Sequence, residues 1–144
     1  MDSIIIRRVE KKDAKEISDI YASITNETDK KDFEAIIKEQ AINKNSLAFA
    51  AEIKKNVVGF MICYIVTGVF GLKESAWIAA MGVSPQYMGK GIGRKLAENI
   101  FDYCKKKEIK DIYSSVQWDS TDLLSFFKTL GFGRSAFINL AKKL

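Results

Sequence analysis

The feature that most constrains this chain is a glycine-rich turn between an apolar strand pattern and the longest helical pattern. Glycines stand at positions 89, 91 and 93, where an apolar stripe at helical spacing begins and runs from Ile92 to Cys104. Pro85 disfavours the helical conformation for the residue before it and therefore ends the preceding strand. A strand, a tight turn and a helix in this order indicate an α/β arrangement.

The same turn has the composition of an anion site. Glycine lacks a Cβ, so its backbone can approach a ligand closely. The first-turn amides of a helix have no intrahelical partners and lie at its positive end, where phosphate oxygens bind. Lys90 and Arg94 add positive charge. A P-loop would need Ser or Thr at position 91, and a dinucleotide fingerprint would follow the first strand rather than the fourth. A glycine turn without a ligand does not require three glycines at every second position.

The amino-acid composition limits the number of domains and the classes of function that this chain can have. The chain has 144 residues, 47% of them apolar and 28% charged, which fits one globular domain and excludes disorder. Histidine is absent, which removes Ser-His-Asp and Cys-His catalysis and histidine zinc sites. The net charge of +5 does not choose between nucleic acid, an acidic partner and a phosphate-bearing cofactor. Cys63 and Cys104 are predicted to be buried, reduced thiols; with no export signal or membrane span, we expect a cytoplasmic protein.

Hydrophobic periodicity predicts a mixed α/β fold in the order β-α-α-β-β-β-α-β-α-β, with antiparallel middle strands and one parallel pair flanking the long helix. Asp13 and Glu16 resemble a capping box, Asp119 is a good N-cap for the last helix, and Gly131 is expected to close that helix. A hairpin turn is predicted at positions 54–56. The predicted strands cover residues 3–9, 47–53, 57–66, 77–83, 111–118 and 137–140.

At this point the sequence resembles a known superfamily. Gln86-x-x-Gly89-x-Gly91 matches the Gln/Arg-x-x-Gly-x-Gly/Ala motif of the GNAT N-acetyltransferases. Residues 119–132, which end Leu-Gly-Phe, are similar to a later helix of that family, and Ile6-Arg7-Arg8 with Asp13 matches its usual opening. The resemblance implies a GNAT-like acyl-CoA N-acyltransferase fold, with a shortened C-terminal hairpin, in a single domain covering residues 1–144.

The resemblance also implies an acetyl-CoA-dependent N-acetyltransferase that uses acetyl-CoA as cosubstrate and needs no metal. The backbone of residues 81–83 would bind the pantetheine arm, the amides of residues 89–94 would hold the pyrophosphate, and two residues of the last helix would also contact the cofactor. The implied cofactor-binding residues are Met81, Gly82, Val83, Gly89, Lys90, Gly91, Ile92, Gly93, Arg94, Ser120 and Phe127.

Three positions depart from the family pattern. Ser115 stands where a glutamate base is found in some members, Ser120 where an asparagine contacts the cofactor, and Phe127 where a tyrosine protonates the leaving thiolate. Phenylalanine has no proton to give, so that route is closed here. Tyr113 and Ser115 are the catalytic candidates, followed by Glu27 and Glu74 for proton handling. Direct attack of the amine in a ternary complex needs none of them as a base.

The acceptor stays open among a protein N-terminus, a lysine side chain and a small-molecule amine. A non-catalytic acyl-CoA-binding module is the alternative function, and a nucleic-acid-binding domain has only the net charge in its favour. The scattered lysine runs indicate solvated surface, so we expect neither a nucleic-acid nor a membrane partner. Twelve residues follow Phe132, enough for one strand. The sheet edge there is expected to be bare or covered by a second subunit as a homodimer.

Overall fold

The computed structural model describes residues 3–25 and 30–144. Within them a five-stranded sheet in the order β1-β2-β3-β4-β5 is combined with four α-helices, which confirms the mixed α/β fold class. The elements are β1 (Ile5–Arg8), α1 (Ala14–Thr25), α2 (Lys30–Ile42), β2 (Ser46–Ile53), β3 (Asn56–Thr67), β4 (Glu74–Val83), α3 (Ile92–Lys106), β5 (Ile112–Ser114) and α4 (Thr121–Thr129).

The sheet has the predicted mixed topology. The pairs β1–β2, β2–β3 and β3–β4 are antiparallel, whereas β4 and β5 are parallel. Parallel strands need a crossover connection, and α3 supplies it. The hairpin between β2 and β3 turns through Lys54 and Lys55, whose φ angles of 52° and 67° fit the tight turn predicted at this position.

Each face of the sheet has its own core. One cluster joins the sheet to α3 and α4 through residues such as Met61, Leu96 and Phe127. The other joins it to α1 and α2 through residues such as Ile17 and Phe60. We call these the α3 face and the α1 face. In the part of the chain that the structure describes, no helix is both long and apolar enough to cross a membrane.

The end of the sheet differs from the prediction. β5 is limited to Ile112–Ser114, and the predicted last strand at 137–140 forms no ladder. The Phe137 ring lies 6.0 Å from the Tyr113 ring, edge to face. Contact between side chains therefore joins this segment to β5, and ladder hydrogen bonds do not. Within this segment Phe137 is 41% exposed, whereas Ile138 and Leu140 are 79% and 87% exposed.

Two predicted helix caps are formed by other residues than expected. The capping box is formed by Glu10 and Asp13 around a 3-10 turn at Lys11–Asp13, with the Glu10 N–H donating to Asp13 Oδ2 at 2.7 Å. The Glu16 carboxylate, which the sequence pattern assigns to the capping box, instead accepts a hydrogen bond from the Val57 N–H of β3 at 3.1 Å. The N-cap of α4 is Ser120 rather than Asp119. Gly131 closes α4 with a φ of 93°, as predicted.

A buried ion pair ties β1 to the start of α1. Arg7 donates from Nη1 and Nη2 to the two oxygens of Asp13 at 2.7 and 2.9 Å, and from Nε to Glu52 of β2 at 2.9 Å. Asp13 is 2% exposed. Burial opposes its ionisation, but the hydrogen bonds from Arg7 and from the Glu10 N–H outweigh that effect and lower the pKa of Asp13 below its ordinary value. A carboxylate with a lowered pKa stabilises the fold when it is ionised.

We expect Asp13→Asn to lower the free energy of unfolding by about 3 kcal/mol at pH 7, since it removes the more deeply buried of the two carboxylates that pair with Arg7. Because the folded-state pKa lies below the unfolded one, this contribution is complete above the ordinary carboxylate pKa and is lost as pH falls through the folded value. Urea unfolding at pH 7, 5 and 3.5 should therefore show a difference between wild type and variant that shrinks towards low pH. Asp102→Asn, on the exposed side of α3, is the control. A difference independent of pH would contradict this account.

Candidate active site

Strands β4 and β5 separate part way along their length. They pair at Ala76–Ile112, Trp77–Tyr113 and Ile78–Ser114, and β4 then continues for five more residues to Val83. Within the described residues no strand lies beside this stretch on the β5 side. We call this opening, beside residues 79–83, the gap. It leads directly towards the glycine-rich turn at the end of β4.

An irregularity in β4 decides which backbone groups face the gap. Ala80 pairs with Ile62 and Ile78 pairs with Cys63, so Ala79 has no partner on β3. Before this bulge, the Ala76 N–H donates to Asp111 O at 3.0 Å and Ile78 O accepts from Ser114 Oγ at 3.0 Å. The backbone groups of the even-numbered residues therefore point to β5 there. An extra residue reverses that alternation further along the strand.

Beyond the bulge, the odd-numbered residues face the gap. The Ser84 N–H donates to Val58 O of β3 at 2.8 Å, and the pairing from Ala80 to Val83 is regular. Since backbone groups alternate along a strand, those of Met81 and Val83 point into the gap and those of Gly82 point to β3. Gly82 has a packing role as well, because a Cβ there would lie 2.7 Å from Ile24 Cδ1 of α1.

The glycine turn presents free backbone beside the gap. Gly89 and Gly91 have φ angles of 80° and 79°, a conformation that side chains other than glycine rarely adopt. A Cβ at either position would meet no atom within 4 Å, so both lie against open space. The first hydrogen bond entering α3 runs from Lys95 N to Gly91 O at 3.1 Å. The amides of residues 92–94 therefore have no acceptor one turn earlier in the helix, which is the arrangement found at helix termini that bind anions.

The other residues of the turn hold it in place. A Cβ on Gly93 would lie 3.0 Å from the Phe126 ring, so this glycine allows α3 and α4 to pack closely. Arg94 Nη2 donates to the Thr129 carbonyl at 3.0 Å and thus joins α3 to the end of α4. Lys90 Nζ lies 5.3 Å from the centre of the Tyr87 ring, a cation–π contact within the turn.

The catalytic candidates are only partly brought together. Tyr113 and Ser115 lie at the end of β5, where the gap begins, and the Tyr113 ring stacks on Trp77 at 4.8 Å. Ser115 Oγ accepts a hydrogen bond from Asn139 Nδ2 at 2.7 Å. Glu74 is exposed at the first position of β4, on the far side of the paired stretch from the gap. Glu27 lies outside the described residues.

The two remaining candidates are in α4. Ser120 is half-buried at its N-cap and makes no side-chain capping hydrogen bond. Phe127 is 5% exposed in the core of the α3 face, with its ring 4.9 Å from Phe132 and 5.5 Å from Phe126. Its surface is therefore almost entirely used for packing.

Sequence reasoning named Tyr113 but missed the row of aromatic rings to which it belongs beside Ser115. Phe70, Phe137, Tyr113 and Trp77 form a continuous row, with ring centres 5.6, 6.0 and 4.8 Å apart in that order. Phe70 is 81% exposed and has a φ of 48°, which is strained for a bulky residue. The flanking glycines at 68 and 71 indicate an unusual turn there. No local pattern connects that turn with residue 137.

The two thiols are not candidates for chemistry. Both cysteines are buried and free. Burial raises the pKa of Cys63 to about 12, with the neighbouring Cys104 as a smaller cause. Burial also raises the pKa of Cys104. Thiols of this kind are protonated at neutral pH and unreactive as nucleophiles. Across residues 3–25 and 30–144, no three His, Cys, Asp or Glu side chains are grouped as metal ligands.

Comparison with known proteins gives a family and a fold. A family model described as "Acetyltransferase (GNAT) family" matches residues 14–132. The mycothiol acetyltransferase of Renibacterium salmoninarum is 28% identical over 108 residues, which cover 75% of this chain and 32% of that protein. The chain therefore spans about a third of the length of this curated relative.

Two solved structures are similar over almost the whole chain. One is the aminoglycoside N-acetyltransferase AAC(6')-Iy in complex with CoA, with a TM-score of 0.86, 16% identity, and coverage of 99% of this chain and 96% of that one. The other is the ribosomal-protein-alanine N-acetyltransferase of Brucella melitensis biovar Abortus 2308, with a TM-score of 0.80, 17% identity and coverage of 99% of both chains. At these identities the likeness establishes the fold.

Proposed function

Because the chain belongs to the GNAT acetyltransferase family, we propose that it transfers an acetyl group from acetyl-CoA to a primary amine by direct attack in a ternary complex. The observation that carries the proposal is the gap. Beside it, β4 directs the backbone of Met81 and Val83 to an open side, next to the free first-turn amides of α3.

The pyrophosphate of CoA would bind at the glycine turn. The amides of residues 92–94 lie in the first turn of α3, where the helix dipole also favours a negative charge, and those of residues 89–91 would add to them from the turn. The open space around Gly89 and Gly91 leaves room for the phosphate oxygens. Lys90 adds a positive charge, whereas Arg94 is engaged with the Thr129 carbonyl and would mainly hold the turn.

The pantetheine arm would lie in the gap as an added strand. The amide groups of the pantetheine arm can hydrogen-bond to the exposed edge of a strand, as those of a bound peptide do. Of the three residues that the resemblance implies for this role, we propose Met81 and Val83. The backbone of Gly82 belongs to the β3 ladder, where Gly82 pairs with Phe60. Ser120, at the N-cap of α4, would contact the cofactor as the resemblance implies, and Phe127 would support the site from the core without contacting the cofactor.

The reaction would need little from side chains. The neutral amine nitrogen attacks the thioester carbon, the C–N bond forms, the C–S bond breaks, and the electron pair of that bond moves to sulfur. The amine gives up a proton to solvent, and the thiolate takes one from solvent. Holding the two reactants together contributes several kcal/mol to catalysis. The Val83 N–H, which faces the gap, would donate to the carbonyl oxygen as its charge develops.

The acceptor would approach from the α1 face, where Tyr113, Ser115 and the aromatic row lie at the mouth of the gap. The relatives in the comparisons are described as acting on mycothiol, aminoglycosides and ribosomal-protein alanine, so they do not select one acceptor class. A protein N-terminus, a lysine and a small-molecule amine all stay within the proposal.

A non-catalytic acyl-CoA-binding module is the second candidate. Phe127 carries no hydroxyl and is buried, and Ser115 is already hydrogen-bonded to Asn139. Phe127 therefore has no proton to give, and Ser115 does not replace the carboxylate base found at this position in some family members. In this function the gap would hold the cofactor without turning it over.

We further propose that residues 1–144 act as a single domain in the cytoplasm. Both core clusters share the central sheet, and the family match covers residues 14–132. The free thiols of Cys63 and Cys104 fit a reducing compartment.

A homodimer through the C-terminal sheet edge is also proposed. Ile138 and Leu140 are 79% and 87% exposed and point away from β5, on a segment without ladder hydrogen bonds. Trp118, which follows β5, is 89% exposed. Apolar side chains beside an unpaired edge are a template for a second copy of the same chain.

The function is tested by release of free CoA thiol from acetyl-CoA in the presence of amines. We expect release with at least one member of a panel containing an N-terminal peptide, a lysine peptide, an aminoglycoside and a polyamine, together with an acetylated product by mass spectrometry. Thermal stabilisation by CoA without release on any amine would contradict the transferase and favour the binding module. Release without an acetylated amine would identify hydrolysis instead.

The cofactor site is tested by Gly91→Asp with Gly91→Asn as its matched control. Both side chains tolerate the left-handed backbone and have the same shape, but only the aspartate puts a negative charge at the helix terminus. We expect Asp to weaken CoA binding at least tenfold relative to Asn by calorimetry. Pantetheine, which lacks the phosphates, should bind both variants equally. Equal CoA affinities would place the pyrophosphate elsewhere.

The dimer is tested by sedimentation at two protein concentrations. We expect a dimer that the double variant Ile138→Lys, Leu140→Lys converts to monomer, because the lysine ammonium groups resist burial in an apolar interface. Lys142→Ala, on the same segment, is the control for a general effect of changing it. A wild-type monomer at both concentrations would remove the proposal.

A further inference from the structure

We propose that Asn139 positions the Ser115 hydroxyl to accept an N–H of the acceptor amine, so that the C-terminal segment (residues 133–144) completes the acceptor side of the gap. The inference rests on the proposed function, because it assigns a contact to the amine of that reaction. Ser115 would be a catalytic residue that touches the substrate, and Asn139 a positioning residue that acts through it.

Ser115 stands where the two strands separate. Ser114 is the last β5 residue in the ladder, and its Oγ donates to Ile78 O of β4 at 3.0 Å. This bond closes the paired stretch. The next residue along the chain therefore lies at the edge of the gap, level with the β4 bulge at Ala79.

The Ser115 side chain belongs to the face that the cofactor helix does not occupy. Ala76 and Ile78 are part of the α3-face core, so Trp77 between them points to the opposite face, and Tyr113 stacks on Trp77 there. Alternation along the strand puts Ser115 on the same face as Tyr113. A group on this face would reach the thioester from the side opposite α3.

The C-terminal segment runs beside β5 in the same direction. Phe137 contacts Tyr113, and two residues later Asn139 contacts Ser115, so both contacts join residues 24 positions apart. Ser135 Oγ accepts the Phe137 N–H at 3.1 Å and donates to Phe137 O at 2.9 Å, which makes a local turn before it. The arrangement brings one amide side chain to the edge of the gap.

The aromatic row holds this segment in place. The Phe137 ring lies between Phe70, 5.6 Å away, and Tyr113, 6.0 Å away. Phe70 keeps a left-handed backbone, which costs on the order of 1–3 kcal/mol and is retained here at the position that stacks on Phe137. Strain at an exposed ring is consistent with a requirement to hold the segment that carries Asn139.

The hydrogen bond between the two side chains directs the hydroxyl. A serine oxygen has two lone pairs and one hydrogen. The Asn139 amide occupies one lone pair at 2.7 Å, and an amide N–H is a donor at every ordinary pH. The second lone pair of Ser115 is left to accept an amine N–H. The nitrogen lone pair of the amine is then free to attack the thioester carbon.

The test compares Ser115→Ala, Asn139→Ala and the double variant in steady-state kinetics with an amine that the wild-type protein acetylates. We expect each single variant to lower kcat about tenfold, as for loss of one hydrogen bond made in the transition state. The KM for acetyl-CoA should not change. Because the two side chains act as one unit, the double variant should be no slower than either single one.

Two further variants separate positioning from structure. Ser115→Thr keeps a hydroxyl at the same atom and should retain most of the activity. Asn139→Asp removes the donor while keeping the shape, and should lose as much as Asn139→Ala. Asn43→Ala removes a surface asparagine whose Oδ1 accepts the Asn45 N–H at 2.9 Å outside the site, and serves as the matched control.

Each outcome decides the inference. Single variants with wild-type kcat, or an Asn139→Asp variant with wild-type kcat, would overturn it while leaving the proposed function intact. Additive losses in the double variant would show that the two residues act separately and would also overturn it. A wild-type protein that releases no thiol with any amine would overturn the proposed function, and this inference with it.

Discussion

The structure depends on one unpaired residue in β4. Ala79 has no partner on β3, and this single extra position reverses the alternation of β4 over its last residues. Without it, Gly82 would present its backbone to the gap and Val83 would pair with β3. With it, the backbone groups of Met81 and Val83 face the gap, and Gly82 packs against α1. Pairing with β5 stops at the same point, so the end of β4 pairs with β3 on one side and has a free edge on the other.

The glycines around the gap divide into two kinds. Gly89 and Gly91 are needed for their conformation, since both have φ near 80° and face open space. Gly82 and Gly93 are needed for packing, because a Cβ would meet α1 in one case and the Phe126 ring in the other. The first kind leaves main-chain donors exposed to a ligand. The second kind lets α1, α3 and α4 approach closely enough to hold those donors still.

The two sides of the candidate site were predictable to different degrees. The cofactor side is continuous in the chain: a strand, a proline, a turn and a helix from Met81 to Arg94, whose chemistry follows from spacing alone. The acceptor side is assembled from β5, the loop at Phe70 and the segment that carries Asn139. Their contacts span 24 or more positions, so no local pattern connects them. The error in predicting the capping box at Asp13 has the same origin. Contacts from residues outside the capping pattern, Arg7 to Asp13 and Val57 to Glu16, decide the role of each carboxylate.

By itself the sequence determined the class of fold, the order of its elements up to the last helix, and a glycine-rich turn before α3, because hydrophobic period and glycine placement act over a few residues. Only the tertiary structure decided where β4 bulges, how early β5 ends, and that residues 137–140 lie beside β5 without joining its ladder. These outcomes depend on competition between side chains that are distant in sequence. An example is the packing of the Phe137 ring against the Tyr113 ring at 6.0 Å, which takes the place of backbone pairing between the two segments. Such competition is decided by the geometry of the whole core, which local propensity does not contain.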